Sequence, residues 1–134
     1  MSDWNTQVIE EFRANGGKVA QFGDAPLVIL HTIGAKSGEL REIPLVALLE
    51  GDDYIVFASK GGAPDNPDWA YNLRANPSIT VEYGTETFTA RVTELSEADS
   101  QAKIQEQAAI MPQFGEYVKT AAPRIIPAFQ LTRA

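Results

Sequence analysis

Two short loops carry the residue types that grip anions. Gly34-Ala35-Lys36-Ser37-Gly38, with Arg41 just beyond it, and Ser59-Lys60-Gly61-Gly62 each follow an apolar run and each combine glycine, serine and a cation. Glycine lets backbone N–H groups come close to a bound anion, the serine hydroxyl adds a donor, and Lys or Arg neutralises charge. Such a set suits a phosphate. Neither loop is a Walker A motif, which needs four residues between its glycines followed by Lys and then Ser or Thr. Two ordinary turns with solvated lysines are the competing reading of the same residues.

The rest of the chemical inventory is sparse. Among 134 residues there is no cysteine and one histidine, so a disulfide framework or thiolate zinc site is excluded and a multi-histidine metal centre or Ser-His-Asp hydrolase is a poor fit. His31 lies mid-strand among Leu27, Val28, Ile29, Leu30 and Ile33, which reads as a hydrogen-bonded structural imidazole. Glu39, Glu42, Asp52 and Asp53 read as solvated loop charges. A net charge of −7 argues against nucleic-acid binding, which needs a clustered surplus of Lys and Arg. Any anionic ligand must therefore be met locally. No apolar run approaches the ~20 residues of a membrane span. The first segment carries Asp3, Glu10 and Glu11 where a secretory signal would be basic and then apolar, so the cytoplasm is the expected compartment.

These loops need elements to hold them. Asp3 is placed to cap a first helix whose Trp4, Val8, Ile9 and Phe12 form one apolar stripe, with Asn15-Gly16-Gly17 as its stop. Such a helix suits a lid packed on a barrel, while Trp4 and Phe12 leave a weak interfacial, peripheral-membrane role open. Strands are expected at Pro26 to Ile33, Ile43 to Leu49 and Tyr54 to Ala58, joined by short connections, with Pro44 confined to an edge or bulge. Asn66 reads as the cap of a short helix with Pro67 at its first position, ending at Asn76-Pro77. Ile79 to Tyr83 and Thr85 to Leu95 read as a hairpin about Gly84, and Ser96 opens a helix to about Met111. Phe114 to Ala121 adds a further turn or two, and Ile125 to Leu131 a last strand weakened by Pro127. About six mostly antiparallel strands with peripheral helices give an α+β, mainly β fold in one domain over residues 1–134: a small closed or partly closed barrel, with a two-sheet sandwich as the alternative.

The stretch from Leu27 to Tyr83 resembles the deazaflavin-dependent nitroreductase family. The resemblance is carried in order by Gly34-Ala35-Lys36-Ser37-Gly38, Arg41, Pro44-Leu45, Ala58-Ser59-Lys60-Gly61-Gly62, Asn66-Pro67-Asp68-Trp69, Asn72-Leu73 and Ala75-Asn76-Pro77. It implies a split β-barrel oxidoreductase that uses coenzyme F420, an 8-hydroxy-5-deazaflavin bearing a phosphate and a polyglutamate tail. Lys36, Ser37, Gly38 and Arg41 would then receive the phosphate and the acidic tail, and Ser59, Lys60, Gly61 and Gly62 would line the same groove. Pro44 and Ala58 would lie nearer the ring system, and Trp69 and Asn72 would brace the second loop. Ala35 is a departure, since many relatives have a basic residue there.

Toward the substrate, the resemblance places Tyr117 near the reacting ring, where either its hydroxyl or solvent would supply the proton, with Met111 and Phe114 where some nitroreducing relatives have tyrosines. A pocket of Trp4, Met111, Phe114 and Tyr117 suits a flat, apolar, electron-poor molecule such as a quinone, coumarin-like lactone or enone, with a nitroaromatic the poorer match, and side chains that simply pack the helices on the barrel are the competing reading. The implied activity is hydride transfer from the reduced deazaflavin. An FMN-binding split-barrel oxidoreductase and a non-catalytic module for a phosphate-bearing or apolar ligand are the alternatives. Both a monomer and the barrel-to-barrel homodimer common in this superfamily are compatible with the sequence.

Overall fold

The computed structural model describes residues 3–134, Asp3 by its backbone alone. In chain order it contains α1 (Asp3–Ala14), β1 (Leu27–Ile33), β2 (Leu40–Val46), β3 (Leu48–Glu50), β4 (Asp53–Phe57), α2 (Asp68–Ala75), β5 (Ser78–Tyr83), β6 (Glu86–Glu94), α3 (Glu97–Ile110), α4 (Gln113–Ala121) and β7 (Ala128–Arg133). The strands form one sheet in the order β2-β1-β5-β6-β7-β4-β3, with antiparallel neighbours throughout.

The sheet closes for a covalent reason. Its two edge strands, β2 and β3, are separated in sequence by Ala47 alone. Two residues of extended chain span at most about 7 Å, so the sheet must curl until its edges meet. Ala47 N–H donates to Pro26 O at 2.9 Å, which fixes the crossing point. The expected strand from Ile43 to Leu49 is therefore two strands, and the barrel has seven rather than six. β2 also starts earlier than expected, which places Arg41 in a strand rather than beyond a loop. Pro44 pairs with Ile29 on this edge strand, where its missing N–H costs no ladder bond.

Alternation along the strands divides the core. Val28 and Leu30 of β1, Tyr54 and Val56 of β4, and Phe129 and Leu131 of β7 fill the barrel with Trp69, Ala70 and Leu73 of α2. Leu27 and Ile29 face the other way and pack on Val8, Ile9 and Phe12 of α1. Ile55 and Phe57 likewise face Ile104 of α3 and Phe114 of α4. Both faces of β1 and β4 are thus buried, which is why these strands read as continuous apolar runs.

Helix ends follow local chemistry, with one exception. Ser96 caps α3, its hydroxyl accepting from Asp99 N–H at 3.1 Å. The capping side chain expected of Asp3 lies outside the described residues. The expected cap at Asn66 is not formed: Pro67 is the cap residue of α2, and Asn66 Oδ1 accepts instead from Arg124 Nη1 at 2.7 Å. The last strand begins at Ala128 because Pro127 has no N–H to donate, while its carbonyl accepts from Ala58 N–H at 2.9 Å.

Charge fixes α1 on the barrel. Arg13 Nη2 lies 2.8 Å from Glu42 Oε2 of β2 and 2.6 Å from Glu82 Oε2 of β5, and His31 Nε2 of β1 lies 2.7 Å from the same Glu82 oxygen. Glu42 is thus an ion-pair partner, not a solvated charge. Asp53 departs in the same way, accepting from Gln130 Nε2 at 2.5 Å and from Thr132 Oγ1 at 3.2 Å. His31 is hydrogen-bonded, as expected of it. No helix among the described residues is long and apolar enough to cross a membrane.

Candidate active site

The first loop is a closed turn. Gly34 N–H donates to Glu39 O and Gly38 N–H to Gly34 O, each at 2.9 Å, and Glu39 N–H donates to Ser37 Oγ at 3.2 Å. Buried Asn72 of α2 accepts from Ala35 N–H at 2.9 Å, so it braces the first loop and not the second as expected. Among the described residues, the N–H groups of Lys36 and Ser37 have no intramolecular acceptor. Arg41 lies 3.6 Å from Glu39 across the loop.

The second loop makes a backbone nest. Ser59 is right-handed helical (φ −74°, ψ −36°), and Lys60 (φ 49°) and Gly61 (φ 63°, ψ 21°) are left-handed. This right-then-left sequence turns successive N–H groups into one concavity, a geometry that receives anions. A Cβ on Gly61 would meet no heavy atom within 4 Å, so the backbone there is open to an incoming group. Lys60 Nζ sits 3.0 Å from Asp65, whose carboxyl it holds below the usual range.

Two cavities lie beside α2. One, of about 550 Å³, is lined by Gly34, Ala35, Lys36, Ser37 and Arg41 with Asp68, Tyr71 and Asn72. The other, of about 520 Å³, brings Pro44, Ser59, Lys60, Gly61 and Trp69 together with Trp4, Met111, Phe114 and Tyr117, and adds Asn5, Phe22, Ile43, Phe57 and Gln113. Residues far apart in sequence thus share one apolar cleft with a cationic end. Trp4 is 48 % exposed and meets Phe22 edge to face at 6.2 Å, whereas Phe12 is 1 % exposed, so of these two aromatics Trp4 alone faces outward. Phe114 meets Tyr117 edge to face at 5.2 Å, and Met111 is held by buried Gln107, whose Nε2 donates to its sulfur at 3.2 Å.

Three expected site residues stand outside both cavities. Gly38 (φ 71°) closes the first loop, Ala58 is wholly buried, and Gly62 (φ 84°) is turned into the protein against α4.

Arg124 is the residue sequence reasoning missed. Its Nε donates to Ala63 O (3.1 Å), Nη1 to Ala58 O (3.0 Å) and Asn66 Oδ1 (2.7 Å), and Nη2 to Ser59 O (3.0 Å) and Ala63 O (2.7 Å). Burial holds the guanidinium below its ordinary value, a shift partly offset by Asp65 and Tyr71. A lone cation between Pro123 and the apolar Ile125-Ile126 was the available signal.

The cluster of His31, Glu42 and Glu82 gathers ligand-type atoms within 4.8 Å of one another, but the Arg13 guanidinium occupies the cation position beside both carboxylates.

A solved F420-H2 dependent reductase (FDR-A) is 34 % identical, with a TM-score of 0.70 over 79 % of this chain and 93 % of that one. A second solved structure, described as a domain-swapped dimer, is 31 % identical, with a TM-score of 0.72 over 96 % of this chain and 97 % of that one. An F420H2-dependent quinone reductase of Mycobacterium tuberculosis is 38 % identical over 79 residues, covering 58 % of this chain and 53 % of the relative. The chain spans about half the length of the curated relatives it matches. The family described as F420H(2)-dependent quinone reductase matches residues 4–132, and with that coverage the chain belongs to the F420H2-dependent quinone reductase family.

Proposed function

We propose that this chain is a single-domain oxidoreductase that binds reduced coenzyme F420 and passes a hydride to a quinone or a similarly activated double bond. The observation that carries this reading is the shared cleft, in which Ser59, Lys60 and Gly61 meet Trp4, Met111, Phe114 and Tyr117. Bound there, the coenzyme supplies the hydride, a two-electron reductant at carbon.

The protein supplies position and charge. The nest at Ser59–Gly61 and the donors Lys36, Ser37 and Arg41 meet the phosphate and acidic tail, while Pro44 and Trp69 offer apolar surface to the ring system. Ala35 leaves the tail with one cation fewer. Trp4, Met111 and Phe114 hold a flat apolar acceptor against the ring and exclude water, so the reacting atoms are held close and aligned. The Tyr117 hydroxyl donates a proton as negative charge develops on the acceptor oxygen. The likeness to the domain-swapped dimer supports self-association, which light scattering of the purified protein tests.

Fluorescence titration of the purified protein with coenzyme F420 and, separately, with FMN tests the cofactor assignment. Saturable binding of the deazaflavin with weaker or no FMN binding is the expected result. FMN bound and the deazaflavin ignored would move the chain to flavin chemistry, and deazaflavin binding without turnover would make it a carrier.

A further inference from the structure

Arg124 uses all five of its N–H donors on a single stretch of chain, residues 58–66. Three of its four acceptors are backbone carbonyls, and two of these, Ala58 O and Ser59 O, belong to consecutive peptide units. In a planar trans peptide the C=O of one residue and the N–H of the next point in opposite directions. Holding the Ala58 and Ser59 carbonyls on one side therefore turns the Ser59 and Lys60 N–H groups to the other. That other side is the concavity formed where Ser59 is right-handed and Lys60 and Gly61 are left-handed. Lys60 is the one non-glycine residue with positive φ among those described, a conformation that costs roughly 1–2 kcal/mol and persists only where surrounding contacts fix it.

We infer that Arg124 is a positioning residue for the coenzyme's anionic group: it grips the carbonyl side of the Ser59–Ala63 loop so that the amide side forms the anion nest. This rests on the coenzyme reading given above. The guanidinium contributes in two ways, by fixing the peptide planes and by placing a positive charge behind them. Lysine cannot replace it, because three donors on one nitrogen cannot span Ala58 O, Ser59 O, Ala63 O and Asn66 Oδ1 at once. Arg124 also follows α4 closely in the chain, so the grip joins the helix that carries Tyr117 to the loop packed against it.

The test compares wild type, Arg124→Lys and Arg124→Ala by deazaflavin fluorescence titration and thermal unfolding, with Arg124→Ala repeated in millimolar ethylguanidine. We expect the Kd for coenzyme F420 to rise at least tenfold in both variants, the unfolding midpoint to stay within a few degrees, and ethylguanidine to restore part of the affinity. Should Arg124→Ala fail to fold, Arg124→Lys with an Asn66→Ala control carries the test. Kd within twofold of wild type in the folded variants, or a loss of affinity that simply tracks a large fall in unfolding midpoint, would overturn the inference. Wild type that does not bind the deazaflavin would instead overturn the coenzyme reading itself.

Discussion

Gly62 packs directly on α4, where a Cβ would overlap the Thr120 hydroxyl and lie 3.1 Å from Tyr117 Cα. The threonine tip can turn aside, but the helix backbone cannot. Gly62 also has φ 84°, so any side chain there is strained as well as crowded. We expect Gly62→Ala to destabilise the protein by roughly 2–4 kcal/mol, from left-handed strain and overpacking together. Chemical denaturation checks the stability. A loss under about 0.5 kcal/mol, the range of indifferent surface changes, would show that the loop and helix are not locked together.

The loop cations are unequal before any ligand arrives. Lys60 is paired with Asp65 at 3.0 Å and Arg41 approaches Glu39 at 3.6 Å, whereas Lys36 has no ion-pair partner among the described residues. Lys36→Ala should therefore weaken coenzyme binding by about 1.5–3 kcal/mol, the range for a hydrogen bond to a charged group, and Lys60→Ala by less. Asp65→Asn should tighten binding by freeing Lys60, and added salt should weaken the wild-type complex. Equal affinity in all three variants by fluorescence titration would remove both loops from the binding site.

Acid stability should depend on Glu82. The hydrogen bond from Arg13, with a smaller one from His31, holds its carboxyl below the usual carboxylate range in the folded state, against the opposing effect of burial. A carboxyl depressed on folding contributes stability that is present above its unfolded value and lost as pH falls through the folded one. Arg13→Ala should therefore cost about 1 kcal/mol at pH 7, discounted because Arg13 is 44 % exposed, and little below pH 3. Urea midpoints measured from pH 3 to pH 7 check this, and a pH-independent cost would assign Arg13 to packing.

Substrate preference follows from the cleft wall. Met111 and Phe114 offer apolar and aromatic surface without hydroxyls, and among the described residues Tyr117 is the one phenol lining the cleft. Quinones should show a higher kcat/KM than bicyclic nitroimidazoles, whose nitro group needs hydroxyl partners. Tyr117→Phe should leave coenzyme affinity within about twofold and lower kcat by up to ~10²-fold, since a positioned donor contributes at least that and solvent replaces part of it. Unchanged kcat would leave Tyr117 as packing against Phe114.

What the sequence disclosed and what it concealed have separate physical origins. Local chemistry was legible: the apolar runs of the strands, the Ser96 cap and the glycine-rich loops each depend on residues within a few positions of one another. The break at Ala47 was not, because it is set by the distance between sheet edges that meet only after the barrel closes. Asn66 misleads for the same reason, since a side chain well suited to capping is taken by Arg124, 58 residues away. The meeting of Trp4 and Met111 with the second loop became legible only through resemblance, as no spacing links the two ends of the chain.

The most direct measurement is an anaerobic single turnover, in which protein loaded with reduced coenzyme F420 is mixed with a naphthoquinone and the return of oxidised deazaflavin absorbance is followed. A catalysed hydride transfer gives a rate that saturates with quinone and far exceeds that of free coenzyme, with one quinol released per deazaflavin oxidised. A rate equal to that of free reduced coenzyme, with the deazaflavin demonstrably bound, would contradict it.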